Sequence, residues 1–342
     1  MKKLLSIIIC ISPWTSLISD NHPKKRLFDR EEIAAKILGR EDRKYGDHSG
    51  NRVLCRFYNQ GSIGDQSSSF SGVYPLGSGH SYIWEFSPVI AASVLDTSGN
   101  RKRIVSDGLR GLVDSSPEGT PWSFEPLAGY ANPNQENLAM SDNSSTWPST
   151  WPNKDEDWDG EWNGQYGKYV RADQESYFVM DDYYNSEYEF WPDQNDVPES
   201  STESPDDHRR GLGINLEVRG YQWNHPAAED IIIVTYWITN IGSSTLDSVV
   251  FGMYGDADVG GPSSFSDDDA WFDTENDMVY QWDHDNWSTS YGGFRPAYFG
   301  WSFLESPGNP HDGIDNDGDG MIDESQLMVL IMMGIGTLKE MI

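Results

Sequence analysis

A chain of 342 residues that is 37% apolar and 13% aromatic has enough hydrophobic material for one large or two ordinary domains, which excludes a disordered polymer. Its formal charge of −31 is unevenly spread, because the first 50 residues carry ten Lys/Arg and seven Asp/Glu, leaving 14 basic against 48 acidic residues in the rest. Such a field repels nucleic acid and anionic lipid and favours divalent cations or cationic partners, although the acidic surface of an exported protein accounts for the same charge.

In chain order, Met1–Ser19 places two lysines before a short apolar run and reads as an export signal. The run is too short to span a bilayer, so no membrane span is expected in the mature chain. Cys10 follows Ile9, where lipid attachment needs a small residue. With the signal removed, Cys55 is the only cysteine and no intrachain disulfide can form; within Val53–Tyr58 it reads as a buried strand thiol. Residues 20–50 read as a lead-in with one short helix over 29–39, capped by Asp29 and stopped by Gly39.

From 51 to 305 the pattern changes to short β-branched and aromatic runs broken by Gly, Pro, Asn and Asp. That pattern predicts an all-β region, an antiparallel β-sandwich with room for two subdomains. Pro88–Asp96 and Arg101–Ser106 flank Thr97-Ser-Gly-Asn100 and predict a hairpin. Asp230–Asn240 and Leu246–Tyr254 flank a Gly-Ser turn and predict a second, whose first strand starts as the continuous apolar run of a central strand.

Residues 115–165 form a long loop region containing Trp147, Trp151, Trp158 and Trp162. These are either a glycan-stacking platform or anchors packed over the sandwich, and the large area a Trp buries favours packing. Asp193–Asp207 reads as a surface excursion. His225-Pro-Ala-Ala-Glu229 lacks the helix and paired histidines of a zinc hydrolase and reads as a turn between strands. No phosphate loop, nucleophile elbow or zinc spacing occurs, so no catalytic residue is assigned.

Acidic residues gather at three places. Asp256, Asp258 and Asp269 lie near a strand end around Gly260-Gly261 and predict a second calcium site, with a solvated loop as the equal alternative; Asp267–Asp269, Asp273 and Asp283-His-Asp-Asn286 extend the cluster. The strongest pattern is Asp312-Gly-Ile-Asp-Asn-Asp-Gly-Asp-Gly-Met-Ile-Asp-Glu324. Counting Asp315 as loop position 1 puts Asp317 at 3, Asp319 at 5, Gly320 at 6, the Met321 carbonyl at 7 and Asp323 at 9, with Asp312 and Glu324 as further candidates. Position 12 is Gln326 instead of a bidentate glutamate, and helix-breaking residues precede the loop. The segment therefore resembles the Asp-rich calcium repeats of thrombospondin type 3 and related bacterial proteins. That resemblance implies calcium as the cofactor, with affinity in the weak extracellular range of about 10⁻⁴ to 10⁻³ M.

Leu327–Gly336 breaks the composition of everything before it. With permitted codons, a shifted frame beginning in the Gln326 codon reads Ile-Asp-Gly-Ile-Asp-Asn-Asp-Gly-Asp, so 327–342 is expected to be a frameshifted tail outside the native protein.

The segments Tyr82–Pro88, Gly129–Gln135, Ala172–Asp182, Arg210–Trp223 and Phe251–Gly260 resemble the opening region of large, uncharacterised exported proteins of environmental bacteria. The resemblance covers about residues 51–326 and implies a β-rich domain followed by calcium repeats at 306–326. It implies an extracellular or cell-surface location and no catalytic residue. The expected function is a calcium-stabilised structural, adhesive or binding module that meets extracellular polysaccharide or surface proteins; the alternative is a secreted carbohydrate-active enzyme or carbohydrate-binding protein.

Overall fold

The structure is a computed structural model describing residues 42–65, 70–109, 114–117, 119–193, 195–198, 208–305, 313 and 329–336. The export signal and the helix expected over 29–39 lie outside the described residues. So do most of the 193–207 excursion and, Gly313 excepted, the Asp-rich repeat.

Fourteen strands run in chain order among the described residues: β1 (Tyr45–His48), β2 (Cys55–Tyr58), β3 (Ile83–Leu95), β4 (Arg101–Asp107), β5 (Glu125–Pro126), β6 (Ala139–Met140), β7 (Gln174–Asp181), β8 (Ile214–Gln222), β9 (Ile231–Asn240), β10 (Asp247–Ala257), β11 (Asp268–Asp273), β12 (Met278–Asp283), β13 (Tyr298–Glu305) and β14 (Val329–Gly336). Among the described residues no helix reaches seven residues, and the protein is all-β with antiparallel sheets, as its sequence predicts. β1 lies inside the stretch read as a helical lead-in, so strand pairing begins at Tyr45, ahead of residue 51.

A three-stranded sheet in the order β10-β3-β4 faces a nine-stranded sheet in the order β11-β12-β13-β14-β9-β8-β7-β5, with β6 beside β7. The faces meet through aromatic contacts. Phe86 of β3 meets Trp301 and Phe299 of β13 at centroid distances of 5.0 and 6.2 Å, and Phe251 of β10 meets Tyr236 of β9 at 5.2 Å. Alternation explains which residues enter this core. On β9, Ile232, Val234, Tyr236 and Ile238 are buried in it, whereas Ile231, Ile233, Trp237 and Thr239 on the other face are half-buried.

The hairpin predicted at Thr97–Asn100 is present as β3-β4, its turn held by Asp96 Oδ1, which accepts from Ser98 N at 2.9 Å and Asn100 N at 2.8 Å. The second predicted hairpin is corrected. Both strands exist, but β9 pairs with β8 and β14 while β10 crosses to the opposite sheet and pairs with β3. Both edges of β9 are taken by β8 and β14, which leaves none for β10, and the connection rests on Pro192, whose carbonyl accepts from Ser243 N at 3.1 Å and Ser244 N at 3.0 Å.

The 225–229 segment turns between β8 and β9, with His225 O accepting from Ala228 N at 2.7 Å. Cys55 on β2 is buried, and burial pushes its thiol up to about 12. His48 on β1 is fully buried against Ser176 of β7 (Nε2 to Oγ, 2.8 Å), and burial holds it down at about 3, a neutral ring at any ordinary pH. β8 admits this ring because residue 220 is glycine, where a Cβ would lie 2.6 Å from His48 Nε2.

β14 comes from the segment read as a frameshifted tail. It is inserted between β13 and β9, with Met333 and Ile335 buried in the core, and it joins the β11–β13 half of the large sheet to the β9–β7 half.

Candidate metal centre

Among the described residues, one group of carboxylates is gathered closely enough to share a cation. Asp267, Asp283 and Asp285 each place an oxygen within 4.8 Å of the others. Asp267 ends a 3₁₀ turn that leads into β11, Asp283 ends β12, and Asp285 follows in the turn after it. Like charges this close repel by about 1 kcal/mol per pair even at the dielectric of water, and by more where water is excluded.

Asp283 is the buried member at 1% exposure. Its Oδ1 accepts from Trp287 N at 2.8 Å, an N–H shared with Asp285 Oδ1 at 2.8 Å, and its Oδ2 accepts from Ser264 Oγ at 3.0 Å. Burial raises its pKa, Asp267 adds to the rise, and these hydrogen bonds oppose it.

Asp268 stands directly opposite Asp283 across the β11-β12 pair, so the two side chains share a face. Its Oδ2 accepts from Val259 N at 2.8 Å, while its Oδ1 is buried without a hydrogen-bond partner. Burial first, then the charges of Asp258, Asp283 and Asp267, push this carboxyl up to about 8. Gln281, two positions before Asp283 and hence on the same face of β12, is 2% exposed with its Oε1 equally unpartnered. Gly260 and Gly261 close the corner at φ of 85° and 88°, where a Cβ would strike Ser288 and Tyr291 at 2.9 and 2.5 Å.

Every donor here is a hard oxygen, the set that suits calcium or magnesium and not zinc or copper. The unpartnered oxygens of Asp268 and Gln281 lie outside that group of three but on the same face as Asp283, and buried acceptors without partners cost about 1–3 kcal/mol each. No Lys or Arg pairs with Asp267, Asp268, Asp283 or Asp285 among the described residues.

The trio expected from sequence is not the group the structure gathers. Asp269 points to the opposite face of β11 from Asp268 and meets His284 Nδ1 at 2.5 Å, a contact that raises the His284 pKa. Asp256 accepts from Tyr254 Oη at 3.3 Å, and Asp258 is buried beside Asp268. The signal was present in Asp267–Asp269 and Asp283-His-Asp, but which residue of each run faces inward depends on strand phase. Asp312, Asp315, Asp317, Asp319, Met321, Asp323 and Glu324 lie outside the described residues.

The four loop tryptophans cover the outer face of β7. Trp151 and Trp162 are buried at 2% and 1% exposure beside Tyr177 and Val179, and Trp147 packs against them. Their indole N–H groups are taken by Glu161 O (Trp151, 2.9 Å), Glu175 Oε2 (Trp162, 2.7 Å) and Met140 O (Trp147, 2.7 Å). Trp158 lies under Lys154 at 4.6 Å. Rings this covered serve as packing, which removes Trp151 and Trp162 from any glycan-stacking role.

Compared with protein-family models, with curated proteins and with solved structures, the chain matches none.

Proposed function

We propose that this is a secreted or cell-surface structural, adhesive or binding module whose β10–β12 corner is held together by calcium. The observation that carries the reading is the gathered carboxylate group Asp267, Asp283 and Asp285, which has no Lys or Arg paired to it among the described residues and lies on the strand ends that also carry the unpartnered buried oxygens of Asp268 and Gln281. Calcium there would neutralise the aspartates and tie the 258–264 and 284–294 loops to the strand ends. Met1–Ser19 supports export, and calcium is abundant outside cells in the range such sites need. The Asp-rich repeat at 312–324 supplies a second place for the same ion.

The packed state of Trp151 and Trp162 speaks against a tryptophan-lined catalytic groove and so favours a module over a carbohydrate-active enzyme. Thermal melting in EDTA and in 10 mM calcium tests the calcium reading. For a site near 10⁻³ M, mass action gives about 1.4 kcal/mol, a rise of roughly 2 °C for a chain of 342 residues. An unchanged midpoint in the wild-type chain would remove calcium from the account.

A further inference from the structure

The outer face of β11–β13, turned away from the core, carries four aromatic side chains that the tryptophan loop does not reach. Trp271 of β11 stands opposite Tyr280 of β12, and Tyr280 opposite Gly300 of β13. Trp282 and Tyr298 occupy the next rank on the same face by alternation. Tyr280–Trp282, Trp282–Tyr298 and Tyr280–Tyr298 lie 5.6, 5.9 and 6.0 Å apart, and Trp282 is tilted by only 38° and 31° from its two neighbours. Trp271 is 60% exposed, and the other three rings are half-buried. Gly300 has no side chain to shelter it, yet it is buried. Half-open rings laid across a glycine produce that combination. The result is a paved surface, in contrast to the interlocked rings of the core.

Its rim is acidic. Asp269 and Asp273 share the Trp271 face of β11, Asp269 held by His284 and Asp273 accepting from Asn276 Nδ2 at 2.9 Å. Three aspartates among its six residues also guard the edge of β11 that is unpaired among the described residues against strand addition.

We propose that this face docks a neutral polysaccharide, a proposal that deepens the binding-module reading and does not rest on the calcium site. A pyranose presents apolar C–H faces to the negative faces of aromatic rings and hydroxyl groups around its edge. Those hydroxyls donate to Asp269 and Asp273 without stripping the carboxylates of hydrogen bonds. The other occupants fit worse. An anionic polymer meets a chain of charge −31. An apolar protein patch would bury the two rim carboxylates with no added donor, at a cost of several kcal/mol, and a second copy would bring the same carboxylates face to face.

The test is native affinity electrophoresis of the full chain in gels containing galactomannan, hydroxyethylcellulose or laminarin, with carboxymethylcellulose as the anionic counterpart. Retardation by at least one neutral polymer is expected, weakened tenfold or more in Trp271→Ala and in Trp282→Ala. It should be unchanged in Trp158→Ala, in the tryptophan loop over β7, and a loss there instead of at Trp271 would overturn the assignment to this face. Trp271 is exposed enough that its loss should leave the melting midpoint within about 2 °C, which separates lost binding from lost folding. No retardation of the wild-type chain by any neutral polymer would overturn the proposal, as would retardation that survives both substitutions. A concentration-dependent dimer abolished by Trp271→Ala would also overturn it, assigning the face to a second copy.

Discussion

The large sheet has an acidic corner at each end, and the two are built differently. At the β7 end Asp181 and Asp182 are fully buried and mostly furnished from within the chain, although Asp181 Oδ2 has no hydrogen-bond partner. Arg209 Nη1 donates to Asp181 Oδ1 at 2.6 Å, and Asp182 accepts from Ser106 Oγ at 2.7 Å and from the backbone N–H groups of Leu212 and Ile214 at 2.6 and 2.9 Å. At the β12 end Asp267, Asp283 and Asp285 converge with no Lys or Arg paired to them among the described residues and two buried oxygens unpartnered nearby. Burial raises the carboxyl pKa at both corners. The β7 corner brings its own Arg and donors; at the β12 corner the charge of Asp267 and Asp285 is met by His284, which is exposed and held by Asp269, and otherwise by protons or an external cation. That difference is why the second corner, and not the more deeply buried first, is the candidate for calcium.

Breaking the sheet between the corners should have the largest effect. β14 is the strand that connects their two halves, so deleting 327–342 is expected to abolish a cooperative melt or solubility. An unchanged melt would instead place this segment outside the native protein, as the shifted reading frame expects.

Next in size is Arg209→Met. It leaves Asp181 buried without its counter-charge, and a loss of about 3–5 kcal/mol is expected. Denaturant melts should show the loss equally with and without calcium, because the β7 corner does not depend on the ion.

At the β12 corner pH acts with a definite sign. Asp268 sits at about 8 in the folded chain against about 4 unfolded. Between those values the native state holds the extra proton, so in EDTA stability should fall as pH rises from about 4 to about 8. Calcium should flatten part of that slope by replacing the proton. Asp107, raised by burial to about 7 on β4, adds a slope of the same sign that calcium should leave in place. A pH–stability curve identical in EDTA and calcium would contradict a metal role for the corner.

The smallest effect belongs to Asp269→Asn. Its partner His284 is exposed, so water screens the pair and the melt should barely move. A clear drop in the midpoint, or any change in calcium response, would restore Asp269 to the site from which strand phase removes it.

Strand identity was readable where local signals suffice. Thr97-Ser-Gly-Asn between apolar runs is a turn because Asp96 closes it locally, and the apolar runs of β9 and β10 announce strands. What β9 and β10 pair with is not readable, since their partners β14 and β3 lie far away in sequence and leave no local signal. The tryptophans were legible as anchors through their size, although their N–H acceptors were not. The metal group was legible as acidic runs and illegible as a set. A shift of one residue exchanges Asp268 for Asp269 on the inner face, and only the β11-β12 register resolves it. The aromatic paving escaped notice for the same reason, because Trp271, Tyr280, Trp282 and Tyr298 come from three strands and meet only through pairing.

The most direct measurement is a thermal melt of the wild-type chain and of Asp283→Asn, each in EDTA and in 10 mM calcium at pH 7.5. Calcium should raise the wild-type midpoint by roughly 2 °C. The variant should gain distinctly less, and in EDTA it should equal or exceed the wild type because one repelling charge is gone. Equal calcium responses in the two proteins would contradict the assignment of the ion to this corner.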